Sequence, residues 1–253
     1  MIDTHCHLND EKLVNNVENI LNDCKQKNIN KMICVGYDLQ SSCVAVDLAN
    51  KHESIYACIG VHPHDSQYYN DQIEDKLVEL ATHKKVVGFG EIGLDYYYKL
   101  SQKNIQKEVF ERQLILANKL KLPVVIHTRE AIADTLEIIK SNINYINNGL
   151  VVHCYNASYE TTKQLLNYGF KFSFGGPITY KNSKLPELIK KLPADSYFLE
   201  TDSPYLAPQQ LRGQVNVPQN VRFVAEKIAE ILKIKTEEVE RFTDLNAELF
   251  FKF

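Results

Sequence analysis

The sequence predicts an α/β chain in which eight short strands alternate with helices, the count of a (β/α)8 TIM barrel built as a single domain over residues 1–253. Three observations carry this expectation. Short β-branched or apolar runs recur between stretches of helical period. No internal repeat, low-complexity tract or Pro/Gly/Ser-rich linker interrupts the alternation. A length of 253 residues, 44% hydrophobic and 24% charged, suits one large core, because barrels of this class run to about 250 residues as one domain. A doubly wound open sheet alternates in the same way, so periodicity leaves both architectures open.

Taken in order, the first strand is expected over Met1 to Leu8, followed by a helix with Leu13, Val17, Ile20, Leu21 and Cys24 at helical spacing. Further strands are expected at Lys31 to Tyr37, Ile55 to His62, Val86 to Leu94, Pro123 to Thr128, Leu150 to Tyr155, Phe170 to Gly175 and Tyr197 to Thr201. The clearest helix follows Ser101, read as its N-cap, and carries Phe110, Leu114, Ala117 and Leu120 on one face. Two helices close the chain, one with Val221, Val224, Ala225, Ile228 and Leu232 on a face, the other with Val239, Phe242 and Leu249. The segment from Ser203 to Gln219, with Pro204, Pro208 and Pro218, reads as a long loop over the active face.

Charge and cysteine usage narrow the function classes. Lys and Arg number 29 against 32 Asp and Glu, a formal charge of −3, so no global basic field holds nucleic acid and a phosphate partner needs a local site. Cys6, Cys24, Cys34, Cys43, Cys58 and Cys154 are scattered without a C-x-x-C pair, and no apolar leader precedes them, which reads as free thiols in a reducing compartment. No apolar run approaches the ~18 residues of a membrane span. A cytoplasmic monomer is expected.

Ionisable residues at the ends of apolar strands carry the chemistry, since such groups are costly to bury unless they are paired or bind a metal. His5 and His7 sit two apart at the end of the first strand and project to one face. Glu91 is placed at the end of the fourth strand, His127 the fifth, His153 the sixth and Asp202 the eighth. Each alone reads as an ordinary hydrogen-bonded residue; six from five strands would converge on one mouth of a barrel. Four imidazoles and two carboxylates suit two divalent ions with one bridging carboxylate, and a pair of ions suits hydrolysis by an activated water. Imidazole-rich spheres favour Zn, Mn, Co or Fe over Mg.

One motif points elsewhere. Gly88-Phe89-Gly90-Glu91-Ile92-Gly93 matches the dinucleotide fingerprint G-x-G-x-x-G, yet Leu94-Asp95-Tyr96-Tyr97-Tyr98 stands where a helix should open, so no nucleotide cofactor is expected. The glycines are read instead as letting the strand end bend close to the metals.

With these residues assembled, the chain resembles the TatD family of metal-dependent deoxyribonucleases, a branch of the amidohydrolase-like barrels. The matching stretches are Asp3-Thr4-His5-Cys6-His7-Leu8, Gly60-Val61-His62-Pro63-His64, Gly90 to Tyr96, Val125-Ile126-His127-Thr128-Arg129, His153-Cys154 and Leu199 to Pro208. The resemblance implies that His5, His7 and Asp202 hold one metal, His127 and His153 the other, and Glu91 bridges, with two divalent ions drawn from Mg, Mn or Zn. It implies DNA as substrate, phosphodiester hydrolysis from a strand end, and His62 and Arg129 near the scissile phosphate. Asp202 is expected to take the proton of the attacking water, with Glu91 and His62 the other catalytic residues and Arg212 a further group at the phosphates. Two departures stand out. Arg212-Gly213 is followed by Gln214, Val215, Asn216, Val217 and Pro218, where the family often has Lys-Arg-Asn-Glu-Pro, and His153-Cys154-Tyr155-Asn156-Ala157 replaces His-Cys-Phe-Ser-Gly. The competing expectation is another hydrolase on the same platform, a lactonase, phosphotriesterase or amidohydrolase, because a barrel does not fix a substrate.

Overall fold

The computed structural model describes residues 1–253. Eight parallel strands lie in one sheet: β1 (Ile2–Cys6), β2 (Lys31–Val35), β3 (Ile55–Ile59), β4 (Val86–Asp95), β5 (Val124–Arg129), β6 (Leu150–Val152), β7 (Lys171–Phe174) and β8 (Tyr197–Leu199). Between them run α1 (Val17–Gln26), α2 (Leu39–Lys51), α3 (Asp71–Leu80), α4 (Lys103–Leu120), α5 (Ile132–Ser141), α6 (Tyr159–Asn167) and α7 (Leu185–Ile189), and α8 (Val221–Leu232) and α9 (Thr236–Phe251) end the chain. Spatial order follows chain order from β1 to β8. A doubly wound sheet would reverse its order partway, so the architecture is the nearly closed (β/α)8 barrel.

The chain divides into two compact units, residues 1–34 with 153–253, and residues 35–152. In the first unit β1 pairs with β2 (Ile2↔Lys31, Asp3↔Met32, Cys6↔Cys34) and β7 with β8 (Phe172↔Tyr197, Ser173↔Phe198, Phe174↔Leu199). Its core is aromatic: Tyr155 lies on Phe172 at 4.3 Å between ring centroids, and Phe174 meets Tyr197 edge-on at 5.7 Å. Asp3 ties β1 to the segment after β8. Its carboxylate accepts from the Thr201 amide (2.9 Å) and hydroxyl (2.6 Å), the His7 amide donates to the Ser203 carbonyl (2.7 Å), and Cys6 and Ser203 form a parallel bridge. Burial raises the Asp3 carboxyl well above its usual range against these hydrogen bonds.

In the second unit β4 lies between β3 and β5, and β5 pairs with β6. The strand ends carry backbone groups that need partners, and two buried glutamines of α4 supply them. Gln113 accepts from the Val61 amide and donates to its carbonyl, both at 2.9 Å; Gln106 does the same for Asp95, at 2.8 and 2.9 Å. Helix α2 opens on a capping box in which Asp38 accepts from the Ser41 amide (2.6 Å) and the Ser41 hydroxyl from the Asp38 amide (2.9 Å).

Several boundaries differ from those expected of the sequence. β1 stops at Cys6, so His7 lies just past the strand. β4 runs to Asp95, which places Glu91 inside it rather than at its end, and His127 likewise lies within β5. Ser101 does not cap α4: Gln102 precedes that helix without a side-chain cap, while the Ser101 hydroxyl donates to the His64 carbonyl (2.7 Å) and accepts from the Gln67 amide (3.2 Å). Leu249 is 69% exposed; Ala247 and Phe251 take the buried positions of α9 instead. Gly90 and Gly93 have φ of +156° and +137°, and an added Cβ would lie 2.4 Å from the Val125 carbonyl oxygen and 2.1 Å from that of His127. Close approach to β5 within an irregular stretch of β4 requires these glycines. The strand runs straight through the G-x-G-x-x-G stretch, so no helix N-terminus follows it.

Candidate metal centre

The first unit gathers His5, His7, His153 and Asp202. His5 lies on the fully buried strand β1, whereas His153 and Asp202 follow β6 and β8, where the chain leaves the sheet. The two ring nitrogens His5 Nε2 and His7 Nε2 are 3.3 Å apart, and Asp202 Oδ1 lies 3.8 Å from the first and 3.3 Å from the second. The His5 and His153 rings stack at 4.0 Å with 13° between planes. The ligand atoms of His5, His153 and Asp202 all fall within 4.8 Å of one another. Burial would raise the Asp202 carboxyl, but the hydrogen bond from His7 and the neighbouring His153 and His5 outweigh it and lower it. Asp202 has a φ of +55°, with its amide donating to the His5 carbonyl at 2.9 Å.

The second unit gathers His62, Glu91 and His127, whose ligand atoms again lie within 4.8 Å of one another. Glu91 Oε1 is 2.7 Å from His127 Nδ1 and 3.6 Å from His62 Nε2. His62 Nδ1 accepts from the His64 amide (3.2 Å), which leaves the proton of the neutral ring on Nε2. Burial, with the adjacent His127, holds His62 well below its usual value.

Two further carboxylates support these clusters, and sequence reasoning assigned neither a role. Asp95 Oδ2 is 3.0 Å from His127 Nε2 and 3.1 Å from His64 Nε2, while Asp95 Oδ1 accepts from the Tyr97 and Tyr98 amides (2.9 and 3.0 Å). Burial opposes its charge, yet the hydrogen bonds from His127 and His64 pull its carboxyl well below the usual range. Glu200 is buried behind His153: its Oε1 accepts from the Cys154 amide (2.7 Å) and lies 3.8 Å from His153 Nδ1, and its Oε2 accepts from the Ser173 hydroxyl. The available signal was position. Glu200 stands two residues before Asp202, and Asp95 ends the strand that carries Glu91.

The donor set fits a divalent cation. With the Nε2 proton of His127 given to Asp95, Nδ1 presents a lone pair to Glu91 Oε1 at 2.7 Å. Two acceptors that close need positive charge between them, either a second ring proton or a metal ion. A carboxylate that fixes the far nitrogen of a ligating imidazole is a usual companion of such sites. In the first unit, two imidazole nitrogens and a carboxylate oxygen within 3.8 Å pose the same requirement. Arg129 and Arg212, expected at the phosphate, both lie over aromatic rings. The Arg129 guanidinium lies 3.9 Å from the Tyr97 ring centroid and 4.9 Å from that of Tyr98, and Arg212 lies 4.8 Å from that of Tyr180.

Imidazole and carboxylate donors clustered among the strands of a (β/α)8 barrel define a metal-dependent hydrolase. The family model for TatD-related DNases matches residues 2–252, and the chain belongs to that family. It is 38% identical to the uncharacterised metal-dependent hydrolase YabD of Bacillus subtilis, over all of this chain and 99% of that protein. It is 36% identical to the uncharacterised metal-dependent hydrolase YcfH of Escherichia coli K12, over 99% of this chain and 95% of that one. Among solved structures, the TatD homologue YjjV of Escherichia coli K12 superposes with a TM-score of 0.93 at 29% identity, covering 100% of this chain and 98% of that one. No helix is long and apolar enough to cross a membrane.

Proposed function

We propose that this protein is a divalent-metal-dependent deoxyribonuclease that hydrolyses DNA phosphodiester bonds from a strand end at a centre of two ions. The observation that carries the reading is the pair of clusters, His5, His7, His153 and Asp202 in one unit and Glu91 and His127, with His62 beside them, in the other, in a chain matched throughout by the TatD-related DNase model. Divalent ions bound there would lower the pKa of a water and neutralise charge developing on phosphate oxygens. The chain's own residues do the rest. Asp202, kept ionised by its imidazole neighbours, accepts the proton of the attacking water. Asp95 holds His127 in the tautomer that turns Nδ1 toward Glu91, and Glu200 holds the backbone beside His153. His62, neutral and protonated on Nε2, donates a hydrogen bond from that nitrogen to the scissile phosphate and orients it, and Arg129 and Arg212 meet the DNA backbone.

The test is to incubate the purified protein with single-stranded DNA, duplex DNA, a lactone and an aryl phosphotriester, with and without EDTA and with added Mn²⁺ or Mg²⁺. Metal-dependent release of nucleotides from DNA, abolished by EDTA, is expected. Turnover of the lactone or phosphotriester with DNA left intact would replace this reading by that of another hydrolase of the same platform. Elemental analysis of the loaded protein should find about two ions per chain; one ion at saturation would remove the two-ion part.

A further inference from the structure

The first unit contains a cavity of about 1020 Å³ that the metal clusters do not account for. Its walls come from residues 156–159 after β6, residues 177–191 between β7 and β8, and Gln209 and Arg212 after β8. All three segments leave the sheet at strand C-terminal ends, as His153 and Asp202 do. Tyr180 ties two of these segments together: its hydroxyl donates to the Ala207 carbonyl (3.1 Å), and the Arg212 guanidinium lies 4.8 Å from its ring centroid.

The cavity is basic in an acidic protein. Lys181, Lys184, Lys191 and Arg212 line it against a single carboxylate, Glu187, which is engaged at 2.7 Å by Lys190. Two of the cations lie over rings in the same wall, Arg212 over Tyr180 and Lys191 over Tyr159, each at 4.8 Å. At the top of the range for small-ligand pockets, the volume exceeds what one phosphate needs, and cations spread over more than one segment suit a ligand with repeated negative charge. Tyrosine rings offer faces on which flat bases stack, with the cations positioned for the phosphates between them. A formal charge of −3 for the chain means that this local concentration, and no global field, would draw such a strand in.

We infer that this cavity is a backbone subsite for the DNA strand beyond the scissile phosphate, taking successive phosphates on Lys181, Lys184 and Lys191 and bases on Tyr159 and Tyr180. The inference rests on the nuclease reading above and extends it. It implies that affinity and kcat/KM grow with strand length, because a dinucleotide reaches the metal-binding residues without filling the cavity.

The experiment uses metal-loaded protein and fluorescein-labelled dithymidylate and octathymidylate with phosphorothioate linkages, with binding followed by anisotropy across a salt series. The wild type should bind the octamer more tightly than the dimer. Lys181→Ala/Lys184→Ala/Lys191→Ala should remove most of that preference and flatten the salt dependence of octamer binding, by about 0.7 in log–log slope for each phosphate that a lysine no longer neutralises. Replacing the same three lysines by arginine should restore both, which a general loss of structure would not permit. Equal affinity of the wild type for the two lengths, or an octamer affinity and salt slope unchanged in the alanine variant, overturns the subsite. Hydrolysis of ordinary phosphodiester-linked DNA by the wild type is scored separately. Its absence would overturn the nuclease reading, while a length preference abolished in the alanine variant would still place a nucleic-acid strand in the cavity.

Discussion

The two units solve the same problem, holding imidazoles and a carboxylate close together, by different means. In the first, Asp202 and His153 follow strands only three residues long, and the buried acids behind them spend their oxygens on backbone amides and hydroxyls: Glu200 on Cys154 and Ser173, Asp3 on Thr201. In the second, Glu91 and His127 sit inside longer strands, β4 being irregular around Glu91, and the supporting Asp95 touches the imidazoles of His127 and His64 directly. A carboxylate bonded to the main chain fixes where a neighbouring side chain stands. A carboxylate bonded to a ring nitrogen also fixes which nitrogen carries the proton, and so which lone pair is offered to a cation.

The largest effect should come from Asp202→Asn, which keeps size and one oxygen but loses charge and basicity. Near-native folding by circular dichroism, reduced metal occupancy and a nuclease rate down by ~10²–10⁴-fold at saturating metal are expected, as for a lost general base. Recovery of wild-type turnover in excess metal would leave Asp202 only as a ligand. The next comparison sets Glu91→Ala against His62→Ala. Both should lose activity, His62→Ala by ~10²–10³-fold as for a lost hydrogen-bond donor to developing charge, but only Glu91→Ala should lose metal by elemental analysis. A fall of one ion would tie Glu91 to the second unit's cluster alone, a fall of two would tie it to both ions, and unchanged content would remove it as a ligand.

Smaller effects bear on the contrast between the supporting acids. Asp95→Asn should weaken metal binding or activity by about 10–100-fold, the usual cost of losing the partner behind a ligating imidazole, and should shift the His127 ring tautomer in nitrogen NMR. Glu200→Gln should cost less than about tenfold, since its amide oxygen can still accept from the Cys154 amide and its nitrogen can donate to the Ser173 hydroxyl. Equal losses in the two variants, measured as metal affinity by calorimetry, would break the distinction drawn between the units.

Much of this was legible from the sequence because strand-end histidines and acids are rare enough to stand out together. His5, His7, His153 and Asp202 fall in one cluster and Glu91, His127 and His62 in another, though the strand limits around Glu91 and His7 shifted. Asp95 and Glu200 were not legible as supporting acids, because an acid near a histidine in the fold need not be near it in sequence, and its position does not reveal which atom it faces. The role of Gly93 was hidden for a related reason: only the path of β5 shows that a Cβ there would meet the His127 carbonyl. Leu249 followed the helical period but lies on an exposed face, since period marks a stripe without saying how wide the buried part is.

The make-up of the first unit bears on synthesis. It joins residues 1–34 to residues 153–253, and its donor cluster pairs His5 with Asp202. On a ribosome adding ~5–20 residues per second, His5 is made roughly 10–40 s before its carboxylate partner exists. During that interval the nascent chain completes residues 35–152, with Glu91 and His127 among them, while the amino-terminal imidazoles still lack the groups that set their geometry. Assembly of the first cluster therefore waits until residue 202 has been made, and a chain truncated before it carries most of the barrel without the proposed catalytic base.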